Sequence, residues 1–254
     1  MGDKQYHIGF DDTHGARYAL LPGDPGRVPV IAKLLENAKH HATNREYTSW
    51  LGTLGGENVL VVSTGIGGPS TSIAVEELYA TGVRNFIRVG TCGGISLDVI
   101  GGDVVIANAA VRMDGTPNEY VPPEFPAVAN IDITIALMEA AKNLGFRQHV
   151  GIVQCKDSFY GQHSPHRMPV GDILTAKWEA WKKAGVLASE MESATLYVVA
   201  QVLGAKAGCV LSTVWNQERE AAKLDNPHHH DPASAIQTAV EATRLLISKG
   251  AGNV

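Results

Sequence analysis

The sequence predicts an α/β fold: one three-layer α/β/α domain, residues 1–254, around a mixed and largely parallel central sheet. Three observations carry that prediction. Short valine- and leucine-rich runs of strand length alternate with longer amphipathic runs along the chain. Glycine-rich turns follow several of the strand runs. No low-complexity linker divides the chain, and no repeat of solenoid period is present. In such folds the loops after the strands converge on one rim, where ligands bind.

Taken in order, Tyr18–Pro22 reads as a first strand running into the tight turn Gly23-Asp24-Pro25-Gly26-Arg27. Arg27 begins a helix through Ile31, Leu34 and Leu35. Asn44-Arg45-Glu46-Tyr47 precedes a hairpin of Thr48–Leu54 and Asn58–Ser63, joined at Gly55-Gly56. A second glycine turn follows at Gly65, Gly67 and Gly68. Pro69 and Ser70 open a helix whose apolar residues Ile73, Val75, Leu78 and Tyr79 lead to a stop at Gly82. The next strand, Phe86–Gly94, carries Arg88 and Thr91 and ends in two glycines. Gly102-Asp103 introduces a strand at Val104–Ala107. Asp132 is placed to cap a helix closed by Gly145. Val150–Cys155 is strand, Phe159–Pro169 a loop rich in proline and histidine, and a polar-faced helix with Trp178 and Trp181 follows. Glu190-Met191-Glu192 lies at a strand-to-helix switch and opens a helix through Leu196, Val199 and Val202. Cys209–Val214 is a strand, and Asp231-Pro232 starts the last helix, with Gly250 beyond it.

Composition narrows the function classes. The net charge is −5, and no basic run is present to neutralise a nucleic-acid backbone. The apolar runs are of strand size, so no membrane span is expected. The beginning of the chain has no signal-peptide core, and Cys92, Cys155 and Cys209 are scattered without Cys-x-x-Cys spacing. These features predict a soluble, cytoplasmic protein with reduced core thiols.

Three groups of residues bear chemistry. Arg27, Arg45 and Arg88 sit beside turns or strand ends, near Gly23 and Thr91. Glycines let backbone N–H groups approach an anion, and arginine adds a forked positive charge that suits phosphate. Glu190-Met191-Glu192 pairs two carboxylates around an apolar residue. An ionised carboxylate accepts from two adjacent hydroxyls at once, as on a ribose, while the same glutamates would equally suit a helix N-terminus. Phe159-Tyr160-Gly161-Gln162 combines aromatic faces with an amide complementary to the O=C–N–H edge of a base such as uracil. His228-His229-His230 has no carboxylate at metalloprotease spacing and reads as a solvated loop. No Gly-x-Ser-x-Gly elbow is present.

These motifs, in this order, resemble the hexameric nucleoside phosphorylase family, and within it the bacterial uridine phosphorylases. The resemblance rests on Pro22-Gly23-Asp24-Pro25-Gly26-Arg27-Val28, Asn44-Arg45-Glu46-Tyr47, Ser63 to Ser72, Arg88-Val89-Gly90-Thr91 and Glu190-Met191-Glu192. It runs from His7 to the final helix and implies that family's fold. It implies phosphate binding by Gly23, Arg27, Arg88 and Thr91, with Arg45 lent by a neighbouring subunit. It also implies that a neighbour's His7 meets the ribose 5′-hydroxyl, that Met191 and Glu192 contact the ribose with Glu190 beside them, and that Phe159 and Gln162 contact the pyrimidine. Glu46, Ile66 and Ser70 match positions that hold a monovalent cation, such as potassium, between two subunits. No other cofactor is implied. The active unit would be a homodimer, with three dimers forming a hexamer.

Two departures from the family pattern stand out. No proline separates Tyr160 from Gly161, and Ser164 stands where an arginine is usual. Arg167 or His163 is then expected to reach the base across a longer loop. Asn216-Gln217 replaces the usual Asn-Arg pair, and Arg219 is a candidate substitute. The implied reaction is uridine plus inorganic phosphate giving uracil and ribose 1-phosphate, with Arg88, Gln162, Glu192 and Arg167 acting on the transition state. The alternatives are a purine nucleoside phosphorylase and a nucleoside-binding protein of the same fold. Against the first, Ser212-Thr213-Val214-Trp215-Asn216 contains no acid to protonate a purine N7.

Overall fold

The computed structural model describes residues 3–250. Its elements in chain order are β1 (Tyr18–Leu21), α1 (Val28–Ala32), β2 (Glu36–Asn44), β3 (Tyr47–Leu54), β4 (Glu57–Val62), α2 (Gly68–Ala80), β5 (Asn85–Gly94), β6 (Val104–Met113), β7 (Ala127–Val128) and α3 (Ile131–Asn143). There follow β8 (Gln148–Lys156), α4 (Phe159–His163), α5 (Gly171–Lys183), β9 (Ala188–Glu190), α6 (Ser193–Leu203), β10 (Lys206–Asn216), α7 (Gln217–Ala221) and α8 (Ala233–Ser248).

All the strands join one mixed sheet. β5 is its hub. It pairs in parallel with β1 and β10 and, at Gly93 and Gly94, antiparallel with β9. β10 pairs with β6, β6 with β8, and β8 with β9, so five strands close into a ring through β5. On the other side the sheet stays open and runs from β1 through β4 and β3 to β2. Alternation along β5 sorts its side chains between two cores. Phe86 and Cys92 pack with α2 and α6, whereas Ile87 and Val89 pack with α1, α3 and α8. The helices therefore cover both faces, as the sequence predicts.

Four local readings change. The first helix ends at Ala32, and β2, which the sequence does not announce, follows it. Glu36–Asn44 is mostly polar and pairs only with β3, so it carries no buried apolar alternation to read. Asn130, not Asp132, caps α3: its side chain accepts from the backbone N–H groups of Asp132 and Ile133. The segment after Ser158 is helical where a loop is expected, because the Ser158 hydroxyl accepts from Gly161 N at 2.9 Å and starts α4. Glu190 ends β9 and Glu192 is the N-cap residue of α6, so the helix begins at Ser193.

Candidate active site

The loops after β1, β4, β5, β8 and β9 surround a cavity of about 660 Å³. Of the residues singled out in the sequence, Gly23, Arg27, Ile66, Arg88, Thr91, Phe159, Gln162, Glu190, Met191 and Glu192 line it. Arg88 is the centre of its charged part. It lies on the same face of β5 as Phe86 and Cys92, so its guanidinium enters among buried groups. Gly90, two residues on, makes room for it: a Cβ there would lie 2.8 Å from Arg88 Nη2 and 2.9 Å from a Leu211 methyl.

Arg88 Nε donates to Glu190 Oε2 at 2.9 Å, and Nη2 lies 2.5 Å from Glu192 Oε2. The two carboxylates differ in what else they hold. Glu190 also accepts from Glu192 N at 2.9 Å, from Ser193 N at 3.1 Å and from Ser193 Oγ at 2.5 Å. It caps α6 and anchors Arg88, which leaves it little capacity for a ribose. Among the described residues Glu192 accepts only one further bond, from Gly67 N at 2.7 Å. Gly67 adopts φ of 91°, which turns that N–H towards the carboxylate at the start of α2. Burial works against the charge on Arg88, but Glu192 and Glu190 outweigh it and hold the group above its ordinary range. Burial opposes ionisation of Glu190, yet Arg88 and the Ser193 and Glu192 donors keep its pKa low. Burial raises the pKa of Glu192, and the charge of Glu190 adds to it.

The other part of the cavity wall is uncharged except for one group that sequence reasoning missed. Lys156, at the end of β8, is 6% exposed and lines the cavity. Its Nζ donates to Ser189 Oγ at 2.6 Å, and burial pulls its pKa below the usual lysine value against the pull of Glu190. The signal was available, since a lysine closing an apolar strand beside a proposed base loop is unusual. His163 also lines the cavity, with its ring stacked on Trp215 at 6.2 Å between centroids. Ser189 Oγ lies 2.6 Å from Gln162 Oε1, and Gln162 Nε2 lies 3.2 Å from Gln217 Oε1.

Six expected or candidate residues stand outside the cavity lining: Arg167, Arg219, Arg45, His7, Glu46 and Ser70. Arg167, in the turn after α4, is exposed, with its guanidinium 6.0 Å from the centre of the Tyr160 ring. Arg219 donates to the carbonyls of Asp225 and Leu97. Arg45 lies near the Tyr6 ring, 5.7 Å from its centre. His7 is held by Glu77, which accepts from His7 N and Ile8 N and contacts His7 Nδ1 at 2.6 Å. Glu46 and Ser70 pack together against Gly65, and Ser70 Oγ donates to Ile66 O at 3.3 Å. Among the described residues no cluster of three or more His, Cys, Asp or Glu side chains is arranged to hold a metal ion. Among them, too, no helix is long and apolar enough to cross a membrane.

Arginines and glycine turns thus converge on one cavity at the rim of this fold. The family model described as "Phosphorylase superfamily" matches residues 17–249, and the chain belongs to that family. The chain is 50% identical over 247 residues to a uridine phosphorylase of Treponema pallidum, covering 97% of this chain and 96% of the relative. It is 40% identical over 247 residues to a uridine phosphorylase of Escherichia coli, covering 95% of this chain and 98% of the relative. A guanosine phosphorylase of Halorubrum lacusprofundi is 38% identical over 245 residues, covering 96% of this chain and 97% of the relative.

Proposed function

We propose that the chain is a uridine phosphorylase, transferring the ribosyl group of uridine from N1 of uracil to inorganic phosphate. The observation that carries this reading is a single cavity lined at once by Arg27, Arg88 and Thr91, by Met191 and Glu192, and by Phe159, Gln162 and Lys156. These are groups for an anion, a sugar and a flat base with carbonyl oxygens. Arg27, Arg88 and the backbone near Gly23 and Thr91 hold phosphate beneath C1′. As the C1′–N1 bond lengthens, positive charge grows on the sugar and the phosphate dianion stabilises it before forming the new C1′–O bond. Glu192 accepts from the ribose hydroxyls, and Met191 packs on the apolar sugar face. The electron pair of the broken bond leaves on uracil, so donors to its carbonyls strengthen in the transition state. Gln162 is one donor. Lys156 takes the part expected of Arg167, and His163 lies beside it.

Arg45 and His7 complete a neighbouring copy's site in this reading, which makes a homodimer the active unit and a hexamer of three dimers the assembly. Their exclusion from their own chain's cavity supports it. Glu46, the Ile66 carbonyl and the Ser70 hydroxyl form half of a hard oxygen set suited to a monovalent cation such as potassium shared with that copy. The cation would neutralise Glu46 where two copies meet.

The guanosine phosphorylase among the relatives makes purine cleavage the rival. Against it, β10 presents no acid to the cavity. Asn216 at its end caps α7 and donates to the carbonyls of Ser96 and Val99. The test is release of free base from uridine, thymidine and inosine, with and without phosphate. Phosphate-dependent uracil release with poor inosine cleavage is expected. Efficient inosine cleavage would put the purine reading first, and binding without cleavage would leave a nucleoside-binding protein.

A further inference from the structure

We propose that Ser189 decides which way round the Gln162 amide faces the base, a positioning role that rests on the uridine reading above. Ser189 is 4% exposed and its hydroxyl meets three side chains. They are Lys156 Nζ at 2.6 Å, Gln154 Oε1 at 2.8 Å and Gln162 Oε1 at 2.6 Å. The hydroxyl has one proton to give. An ammonium only donates, so Ser189 accepts from Lys156, and two carbonyl oxygens are left facing a single O–H. One of them would be pressed against an oxygen with no proton between.

One amide must therefore be turned over, and the surroundings say which. The far end of Gln154 donates from Nε2 to Met113 Sδ at 3.1 Å, and that sulfur also receives Trp181 Nε1 at 3.1 Å. A thioether accepts and never donates, so the Gln154 nitrogen has to stay on it. Gln154 Oε1 then takes the Ser189 proton. Gln162 has no such anchor, because its far neighbour is another amide, Gln217. In the balanced arrangement Gln162 turns its nitrogen to Ser189 and its oxygen to Gln217, whose own amide turns to match. A neutral Lys156 does not alter this, since it adds an acceptor and no proton to the hydroxyl.

The consequence is directional. The free N–H of Gln162 lies on the Ser189 side, with the two unused N–H bonds of Lys156. A base is read there as a carbonyl, with its N3–H next to the Gln162 oxygen. The opposite orientation would set oxygen against carbonyl and N–H against N–H. Gln154, which lines no part of the substrate cavity, thus acts on base recognition through Ser189.

Kinetics test this. The wild type must first show phosphate-dependent uridine cleavage; if it does not, the uridine reading itself fails and this proposal with it. In an active background, Ser189→Ala should lower kcat/KM for uridine by about tenfold. KM for phosphate should stay unchanged, and Ser189→Thr should restore uridine cleavage. Gln154→Leu should reproduce the loss. The decisive arm is a double-mutant cycle. Gln162→Glu puts an acceptor where the nitrogen belongs, and adding Gln154→Leu frees the Ser189 proton for it. The pair should then be less impaired than the product of the two single losses. Strict multiplicativity of the two losses, or Ser189→Ala kinetics equal to an active wild type, would overturn the positioning role while leaving the uridine reading intact.

Discussion

The two parts of the cavity are built differently. The part proposed for the anion and sugar stands on strand β5 and the β9–α6 junction. Its Arg88, Glu190 and Glu192 are each at most 6% exposed and are joined by short hydrogen bonds. The part proposed for the base stands on the five-residue helix α4, where Phe159 is 51% exposed, and on the buried Lys156 and Ser189 of β8 and β9. The first part is fixed by backbone pairing and by charges that are costly to leave unpaired. The second is fixed by side chains that share protons, which leaves it open to substitution. The usual arginines can be absent there while a lysine from β8 enters the same cavity.

If that contrast holds, the largest effect belongs to the anion part. Arg88→Ala should lose about 3–4 kcal/mol of transition-state stabilisation, a fall of about 10²–10³-fold in kcat/KM. It should also lower the melting temperature, because Glu190 and Glu192 then stay buried without their cation. Activity within a few-fold of wild type would remove Arg88 from the phosphate site.

The next test asks whether this part is complete within one chain. Mixed oligomers of Arg45→Ala and Arg88→Ala subunits, each parent being weakly active, should regain activity, since some sites combine an intact Arg45 with an intact Arg88. No recovery in verified mixed oligomers would mean that each chain builds its own site.

Lys156→Met probes the base part and should lower kcat for uridine by about ten- to a hundredfold. Its pH dependence gives a signature. Burial lowers the folded pKa of Lys156, so kcat should fall on the basic side below the ordinary lysine range as the ammonium loses its proton. Stability moves the other way. The unfolded chain binds this proton more tightly, so the fold gains stability as pH rises between the folded and unfolded values. The variant should lack the basic limb of the kcat profile; its persistence would assign that limb elsewhere.

The smallest effect is expected from Arg167→Ala. That side chain packs near Tyr160 outside the cavity, so kcat/KM for uridine should stay within about threefold of wild type, as for surface changes generally. A loss as large as that of Lys156→Met would return the base-binding role to Arg167.

Much of the anion part was legible from residues alone. Gly23, Arg27, Arg88, Thr91 and the Glu190–Glu192 pair lie beside turns or along strands whose period is local, so their neighbours in sequence announce where they point. Gly67 is legible as part of a glycine-rich turn, whereas its positive φ and the lack of room at Gly90 appear only in the structure. The alternation of strands and helices likewise sets the layers, because each apolar face has to be covered. What the local pattern does not contain was decided by the tertiary structure. The closing of β5, β10, β6, β8 and β9 into a ring brings Lys156 and Ser189 together across 33 residues. The different duties of Glu190 and Glu192 depend on which donors reach each carboxylate. Such facts depend on pairing between distant segments and on the count of protons in a closed network, neither of which is written in the spacing of residues along the chain.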